Sequence, residues 1–239
     1  MGGCCASEAD GQTANPGELA KKGTKDGAEM GKGVPKNRKK LYSKNTHLKL
    51  GYWKMRGLAQ PIRYLLEYTE HPYDEVAYEQ GNAPDFSVAE WTKDKGNLGL
   101  DFPSLPYLLD MNDGKEVRLT DTYTIMQYLA EKYAPELLGG SAEKSAELDM
   151  VYAQLKDVKQ SITGPCYVGS DRKTLVEQSK SKMKPLVDYL GKKEYLFGEE
   201  LTFLDFYMLE LCDFVEWLTE GSFYSTNKPL NRYIKRMHN

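Results

Sequence analysis

The chain lacks several features that would have fixed its class at once. No apolar run approaches the roughly 20 residues needed to span a bilayer, and the N-terminus carries no apolar segment of the kind that directs secretion. Cysteine is scarce. Of Cys4, Cys5, Cys166 and Cys212, the last two stand singly inside apolar patterns, which argues against a disulfide framework or a zinc centre and fits reduced thiols in the cytosol. A basic stripe interleaved with exposed aromatics is also missing, which argues against nucleic acid as the main partner.

What is present is an ordinary globular composition with an unusual front end. Apolar and charged residues make up 40% and 28% of 239 residues, enough for one large domain or two small ones. The net charge of −3 is unevenly spread: residues 1–46 hold nine Lys/Arg against five Asp/Glu, leaving about −7 on the rest. That front segment is rich in Gly, Lys, Ala and Glu, has one aromatic residue, Tyr42, and shows no sustained hydrophobic period. It cannot bury enough apolar surface to offset its ordering entropy and reads as a disordered extension.

From residue 47 the pattern changes. Leu48, Leu50 and Tyr52 alternate as a strand does. Pro61 falls in the opening turn of a helix carried on Ile62, Leu65 and Leu66, and Tyr73–Glu79 reads as a second strand. A long polar loop containing Trp91 leads to a hairpin of Leu105–Asp110 and Val117–Leu119. A helix on Ile125, Tyr128, Leu129 and Tyr133 follows. Beyond Gly140 every periodic segment is helical: one helix on Leu148 to Ile162, expected to break near Gly164 and Pro165, and another ending at Gly191. Thr202 and Asp205 open a third with a capping-box pattern read as a folding signal. Strands first and helices afterwards give an α+β chain with a small mixed unit at 47–134 and an all-α unit at 135–239.

The junction "LKLGYWKMRGLAQPIRYLLEY" sets Tyr52 at the carboxyl end of a strand just before a helix N-terminus. Backbone amides and the helix dipole favour an anion there. A phenol of pKa near 10 keeps its proton at neutral pH and can donate it to that anion. Packing of Tyr52 and Trp53 on the two sheet faces is the alternative reading of the same stretch.

"YWKMRGLAQPIR", "DFPSLPYLLD" and the helical second half together resemble the cytosolic glutathione transferases, and "GNAPDFSVAEWTKDKGNLGLDFPSLPYL" resembles their mu class. The likeness runs from about residue 47 to 239. It implies a thioredoxin-like N-terminal domain followed by an all-α helical domain, glutathione as co-substrate with no metal, and Tyr52 as the donor that steadies the glutathione thiolate. The magnitudes allow this: lowering a thiol pKa of about 8.5 by two units takes roughly 2.7 kcal/mol, and one hydrogen bond to a charged group supplies about 1.5–3 kcal/mol. Neither a metal nor a histidine base is required, and His47, His71 and His238 lie outside the matching motifs.

The resemblance carries further positions. Trp53 and Leu58 match contacts of glutathione beside the tyrosine, and Trp91 and Lys95 match holders of its glycine carboxylate. Leu105, between Ser104 and a Pro106 expected to be cis, matches the residue whose backbone pairs with the cysteinyl part as an added strand would. Asp121 and Thr122 stand where Gln-Ser is usual, Thr122 offering a hydroxyl to the γ-glutamyl carboxylate and Asp121 either accepting from the ammonium or repelling the carboxylate. Asp157 matches an acid that reaches across a homodimer, and Tyr167 a tyrosine that assists the electrophile. A loop-anchor role for Trp91, solvation for Lys95 and Asp157, and pure capping for Asp121 and Thr122 stay open beside these roles. Val88 replaces an arginine, so one carboxylate contact is expected to be lost. Family members extend past "KRMHN", which implies a more open pocket here.

The extension has its own motif. "MGGCCAS" places Gly2 for myristoylation and Cys4 or Cys5 for palmitoylation, with the basic run Lys36–Lys40 behind them. Ala6 stands where the strict pattern has Ser or Thr. One acyl chain anchors only marginally, so the second lipid or the basic run would be needed for peripheral attachment at the cytoplasmic face of a membrane. An unmodified cytoplasmic extension is the other reading. Three functional readings follow: a transferase joining glutathione to small hydrophobic electrophiles, a glutathione-dependent isomerase like the prostaglandin synthases, or a non-catalytic binder of hydrophobic ligands.

Overall fold

The structure is a computed structural model that describes residues 48–82, 85–112, 114–167 and 169–238. The extension with Gly2, Cys4, Cys5 and Lys36–Lys40 lies outside the described residues, as does His47.

Strand β1 (Leu48–Trp53) follows the expected alternation: Leu48, Leu50 and Tyr52 face the main core. Helix α1 (Gln60–Tyr68) has Pro61 in its first turn and buries Ile62, Leu65 and Leu66. The chain returns as β2 (Tyr73–Tyr78), parallel to β1, then forms the short helix α2 (Ala89–Asp94). Strands β3 (Tyr107–Asn112) and β4 (Lys115–Thr120) make an antiparallel hairpin, and α3 (Thr122–Tyr133) completes the mixed unit. The sheet order is β2-β1-β3-β4, with β1 antiparallel to β3, the expected thioredoxin-like arrangement. Gly51 lies opposite Tyr107 across β1 and β3, and a Cβ on it would stand 2.1 Å from the Tyr107 ring. The buried ring therefore needs glycine there.

Two details differ from the sequence expectation. The polar loop contains α2, whose six residues are too few to display a helical period. Helix α4 (Ala142–Tyr167) does not break at Gly164 but runs through Pro165. Pro165 sits in the last turn, where one missing N–H costs little of the ladder below it. The Leu105–Pro106 bond is cis, and the ladder begins after it, at Tyr107.

The helical half continues with α5 (Arg172–Leu190), α6 (Phe203–Leu218), α7 (Phe223–Thr226) and α8 (Lys228–Met237). Helix α6 is apolar nearly all round and is buried nearly all round, packing on α1 of the mixed unit and on α4 and α5 of its own. Asp205 in its first turn is fully buried. It accepts from the Thr202 amide and hydroxyl (2.8 and 3.0 Å), the Leu196 amide (2.9 Å) and the Tyr233 hydroxyl (3.1 Å). The capping box thus also ties α8 and the segment after α5 to α6.

Candidate active site

Between β1 and α1 the backbone makes a short loop, Lys54–Ala59, around the Tyr52 phenol. Gly57 adopts φ +47°, and a Cβ there would lie 2.6 Å from the Tyr52 hydroxyl oxygen, so the loop closes on the ring only because residue 57 is glycine. The Leu58 amide donates to Tyr52 Oη at 3.0 Å. Tyr52 is 6% exposed, and burial pushes its phenol up to about 12 against the opposing pull of that amide. At neutral pH the phenol keeps its proton. With one lone pair engaged by Leu58, the hydroxyl still has its proton to donate to an anion at the mouth of the loop.

The loop itself is held by three helices. Arg63 Nη1 of α1 donates to the carbonyls of Met55 (3.1 Å) and Arg56 (3.2 Å). Lys159 Nζ of α4 donates to Gly57 O at 3.0 Å, and Thr122 Oγ1 of α3 donates to Leu58 O at 2.9 Å. Four successive carbonyls therefore each have a side-chain donor. The Arg56 guanidinium turns the other way, onto α6, where it donates to Glu210 Oε2 (3.0 and 2.6 Å) and Asp213 Oδ2 (2.9 Å), and to the Tyr64 hydroxyl (2.7 Å). Burial raises the Glu210 carboxyl, while Lys159 and Arg56 pull it back toward ionisation.

Sequence reasoning missed Arg56, Arg63, Lys159, Glu210 and Asp213. The available signal was an acid inside the otherwise apolar "FYMLELCDFVEW" and a lysine adjoining the buried row Leu155, Val158, Ile162. A charge in such a register must find a partner.

The other expected residues are distributed unevenly. Tyr52, Leu58 and Thr122 are joined directly by the hydrogen bonds above. Thr122 is 3% exposed and its single hydroxyl proton goes to Leu58 O. Asp121 has φ +74°, a strained conformation for a residue with a side chain, and its Oδ2 accepts from the amides of Tyr123 (3.0 Å) and Thr124 (3.2 Å). In this structure the Thr122 hydroxyl and the Tyr123 and Thr124 amides of α3 are thus occupied from within the chain. Leu105 is half-buried and Ser104 exposed beside the cis Pro106.

Trp91 belongs to a separate cluster on the opposite sheet face. It is 8% exposed, edge-on to Tyr78 (5.4 Å) and stacked on Tyr107 (5.9 Å). Trp53 meets the same cluster edge-on through Tyr78, at 6.4 Å. Lys95 is exposed just after α2, and Val88 is exposed just before it. Asp157 is exposed on α4, two residues from the buried Lys159. Tyr167, 55% exposed at the end of α4, meets Phe86 of the β2–α2 loop edge-on at 5.6 Å and lies near enough to Tyr52 to bear on its phenol. Among the described residues no group of three or more His, Cys, Asp or Glu could hold a metal ion, and no helix is long and apolar enough to cross a membrane.

Comparison with known proteins bears on this geometry. Residues 48–131 match the glutathione S-transferase N-terminal domain. "Glutathione S-transferase 2" of Gallus gallus is 40% identical over 167 residues, 69% of this chain and 73% of that protein. The chain belongs to the glutathione S-transferase family. Its curated relatives include "Glutathione S-transferase Mu 1" of Mus musculus, 40% identical over 69% of this chain and 74% of that one. Among solved transferases, the glutathione S-transferase Blo t 8 superposes with a TM-score of 0.68 at 26% identity, over 80% of this chain and 87% of its own. The same fold is seen in rat hPGDS complexed with a quinoline, with a TM-score of 0.61 at 23% identity, over 80% of this chain and 90% of that one.

Proposed function

We propose that the chain is a mu-type glutathione transferase that ionises bound glutathione and adds its sulfur to small hydrophobic electrophiles. The observation that carries this reading is the Tyr52 phenol: buried, protonated, and fixed by the Leu58 amide in the mouth of a loop held from three sides. The thiol proton leaves to solvent and the thiolate accepts the Tyr52 O–H. The sulfur lone pair then forms the new C–S bond, with departure of a halide from an aryl halide or protonation of the adjacent carbon in an addition. Leu105 offers backbone pairing to the cysteinyl part, beside Ser104 and Pro106. Trp53 and Leu58 flank it, Lys95 with Trp91 takes the glycine carboxylate, and Asp121 with Thr122 lies at the γ-glutamyl end. Tyr167 assists the electrophile from the end of α4.

The proposal includes a division of the folded part near residue 134 and a homodimer in which Asp157 reaches the partner's glutathione. Phe102, 83% exposed, and Met150, 62% exposed, are apolar surface that such an assembly would cover. It also includes a cytoplasmic address, with peripheral membrane attachment through Gly2, Cys4 or Cys5 and Lys36–Lys40. Mass spectrometry of the N-terminal peptide from cells tests the acylation directly.

One observation favours a second reading, a non-catalytic binder. The Thr122 hydroxyl and the Asp121 carboxylate are both engaged within the chain, and Val88 offers no charge. The deciding experiment is conjugation of glutathione to an aryl halide, with parallel titration of the bound thiol by ultraviolet thiolate absorbance, in native protein and Tyr52→Phe. Turnover and a lowered thiol pKa, both lost in the variant, support the transferase. Binding without turnover, at one thiol pKa in both proteins, supports the binder.

A further inference from the structure

Two hydrogen bonds in the site share one peptide group. Lys159 Nζ donates to the carbonyl of Gly57 at 3.0 Å, and the N–H of that same peptide, carried by Leu58, donates to Tyr52 Oη at 3.0 Å. We propose that Lys159 is a positioning residue for thiolate stabilisation, acting through the Gly57–Leu58 peptide to strengthen the proton that Tyr52 presents to the sulfur. This deepens the transferase reading and rests on it.

A cation at a peptide oxygen draws electron density toward it and makes the N–H of the same group a better donor. That N–H, donating to the phenol oxygen, makes the O–H a better donor in turn. Each bond polarises the next, by about 10–30% per bond in a low-dielectric setting. The setting here is of that kind. Lys159 is 6% exposed and Tyr52 is 6% exposed. Burial pulls the Lys159 ammonium below its ordinary range; the Glu210 carboxylate of α6 works against that pull, and the Tyr207 ring lies 5.3 Å from Nζ. Arg56 of the loop opposes the Lys159 charge, and Glu210, Arg63 and Tyr167 are the charged or titratable groups that bear on Tyr52.

Lys159 reaches from α4 to a β1–α1 loop 102 residues away, and a neutral donor could also cap that carbonyl without burying a charge. Burying an ammonium is costly unless the charge is used or paired. The charge is the feature that a purely structural tether would not need.

The experiment compares native protein with Lys159→Gln, which keeps an N–H donor without the charge, Lys159→Met, which removes both, and Lys159→Arg, which keeps the charge. Two readouts are taken. In the absence of glutathione, proton–nitrogen NMR follows the Leu58 amide proton, which moves upfield in the Gln and Met variants and less in Arg. With glutathione bound, thiolate absorbance and the pH profile of kcat are followed. The Gln and Met variants shift the rising limb to higher pH by about half to one unit, a three- to tenfold loss of rate on the acid side that vanishes above the limb. A uniform loss of rate at every pH with a lower melting temperature, or a Gln variant with the native limb and the native Leu58 shift, overturns the proposal. If native protein neither lowers the thiol pKa nor turns over, the transferase reading fails. The Leu58 shift then still reports on the relay, and an unmoved shift in Gln and Met overturns it separately.

Discussion

The two ends of the proposed glutathione cleft are built differently. At the sulfur end, Tyr52, Gly57 and Leu58 are fixed by donors from α1, α3 and α4, and Arg56 binds the loop to α6. At the glycine end, Lys95 stands exposed beside a six-residue helix whose one buried side chain is Trp91. The first arrangement holds the phenol oxygen in place before any ligand arrives, and donors preorganised in this way act where charge develops. The second leaves a flexible cation in water, where a single contact adds little. Rate should therefore depend on the sulfur end and affinity, weakly, on the other.

The largest expected effect is on Arg56. Arg56→Met leaves Glu210 and Asp213 facing each other without the guanidinium that bridges them, and the loss of one partner from a buried pair costs about 3–5 kcal/mol. Thermal or urea unfolding checks it, and a loss of under 1 kcal/mol would show that the loop does not lean on α6. Next, Tyr52→Phe removes one hydrogen bond to a charged sulfur, about 1.5–3 kcal/mol, and lowers kcat near pH 7 by about 10- to 150-fold while glutathione still binds. The native pH profile sharpens this. Rate rises with pH as the thiol ionises, and with the Tyr52 phenol at about 12 no falling limb from its deprotonation appears in the neutral or mildly alkaline range. A falling limb near pH 9 that is absent in Tyr52→Phe would overturn it.

Gly57→Ala comes third: a Cβ 2.6 Å from Tyr52 Oη must displace the phenol or the loop, so kcat falls about tenfold with a stability loss of about 1–3 kcal/mol. Equal activity with full stability would mean that the loop moves freely. The smallest effect is at Lys95. Lys95→Ala raises the glutathione KM by less than about fivefold, leaves kcat unchanged, and the difference shrinks in salt. A kcat effect as large as that of Tyr52→Phe would erase the contrast between the two ends.

The legible part of this molecule was local. Alternation at Leu48, Leu50 and Tyr52, Pro61 in the first turn of α1, and the Thr202–Asp205 pair are signals that neighbouring residues send about one another, and each appears in the structure. The tyrosine at the strand end was legible for the same reason. The clamp was not, because its partners are 102 residues apart for Lys159 and Gly57 and 154 for Arg56 and Glu210. A sequence shows that a buried charge needs a partner without showing which. Asp121 and Thr122 were legible as a helix start, but that the Thr122 hydroxyl would be taken depends on Leu58 arriving in the β1–α1 loop.

The Leu58 amide lies in a loop, where hydrogens ordinarily exchange with solvent as fast as local fraying permits. Here its acceptor is a buried phenol and its flanking carbonyls are gripped from α3 and α4, so releasing it loosens contacts with both the mixed unit and the helical unit. In deuterium exchange this one loop hydrogen should persist as long as those at the centre of α6, reporting the stability of the entire fold from the edge of its cleft.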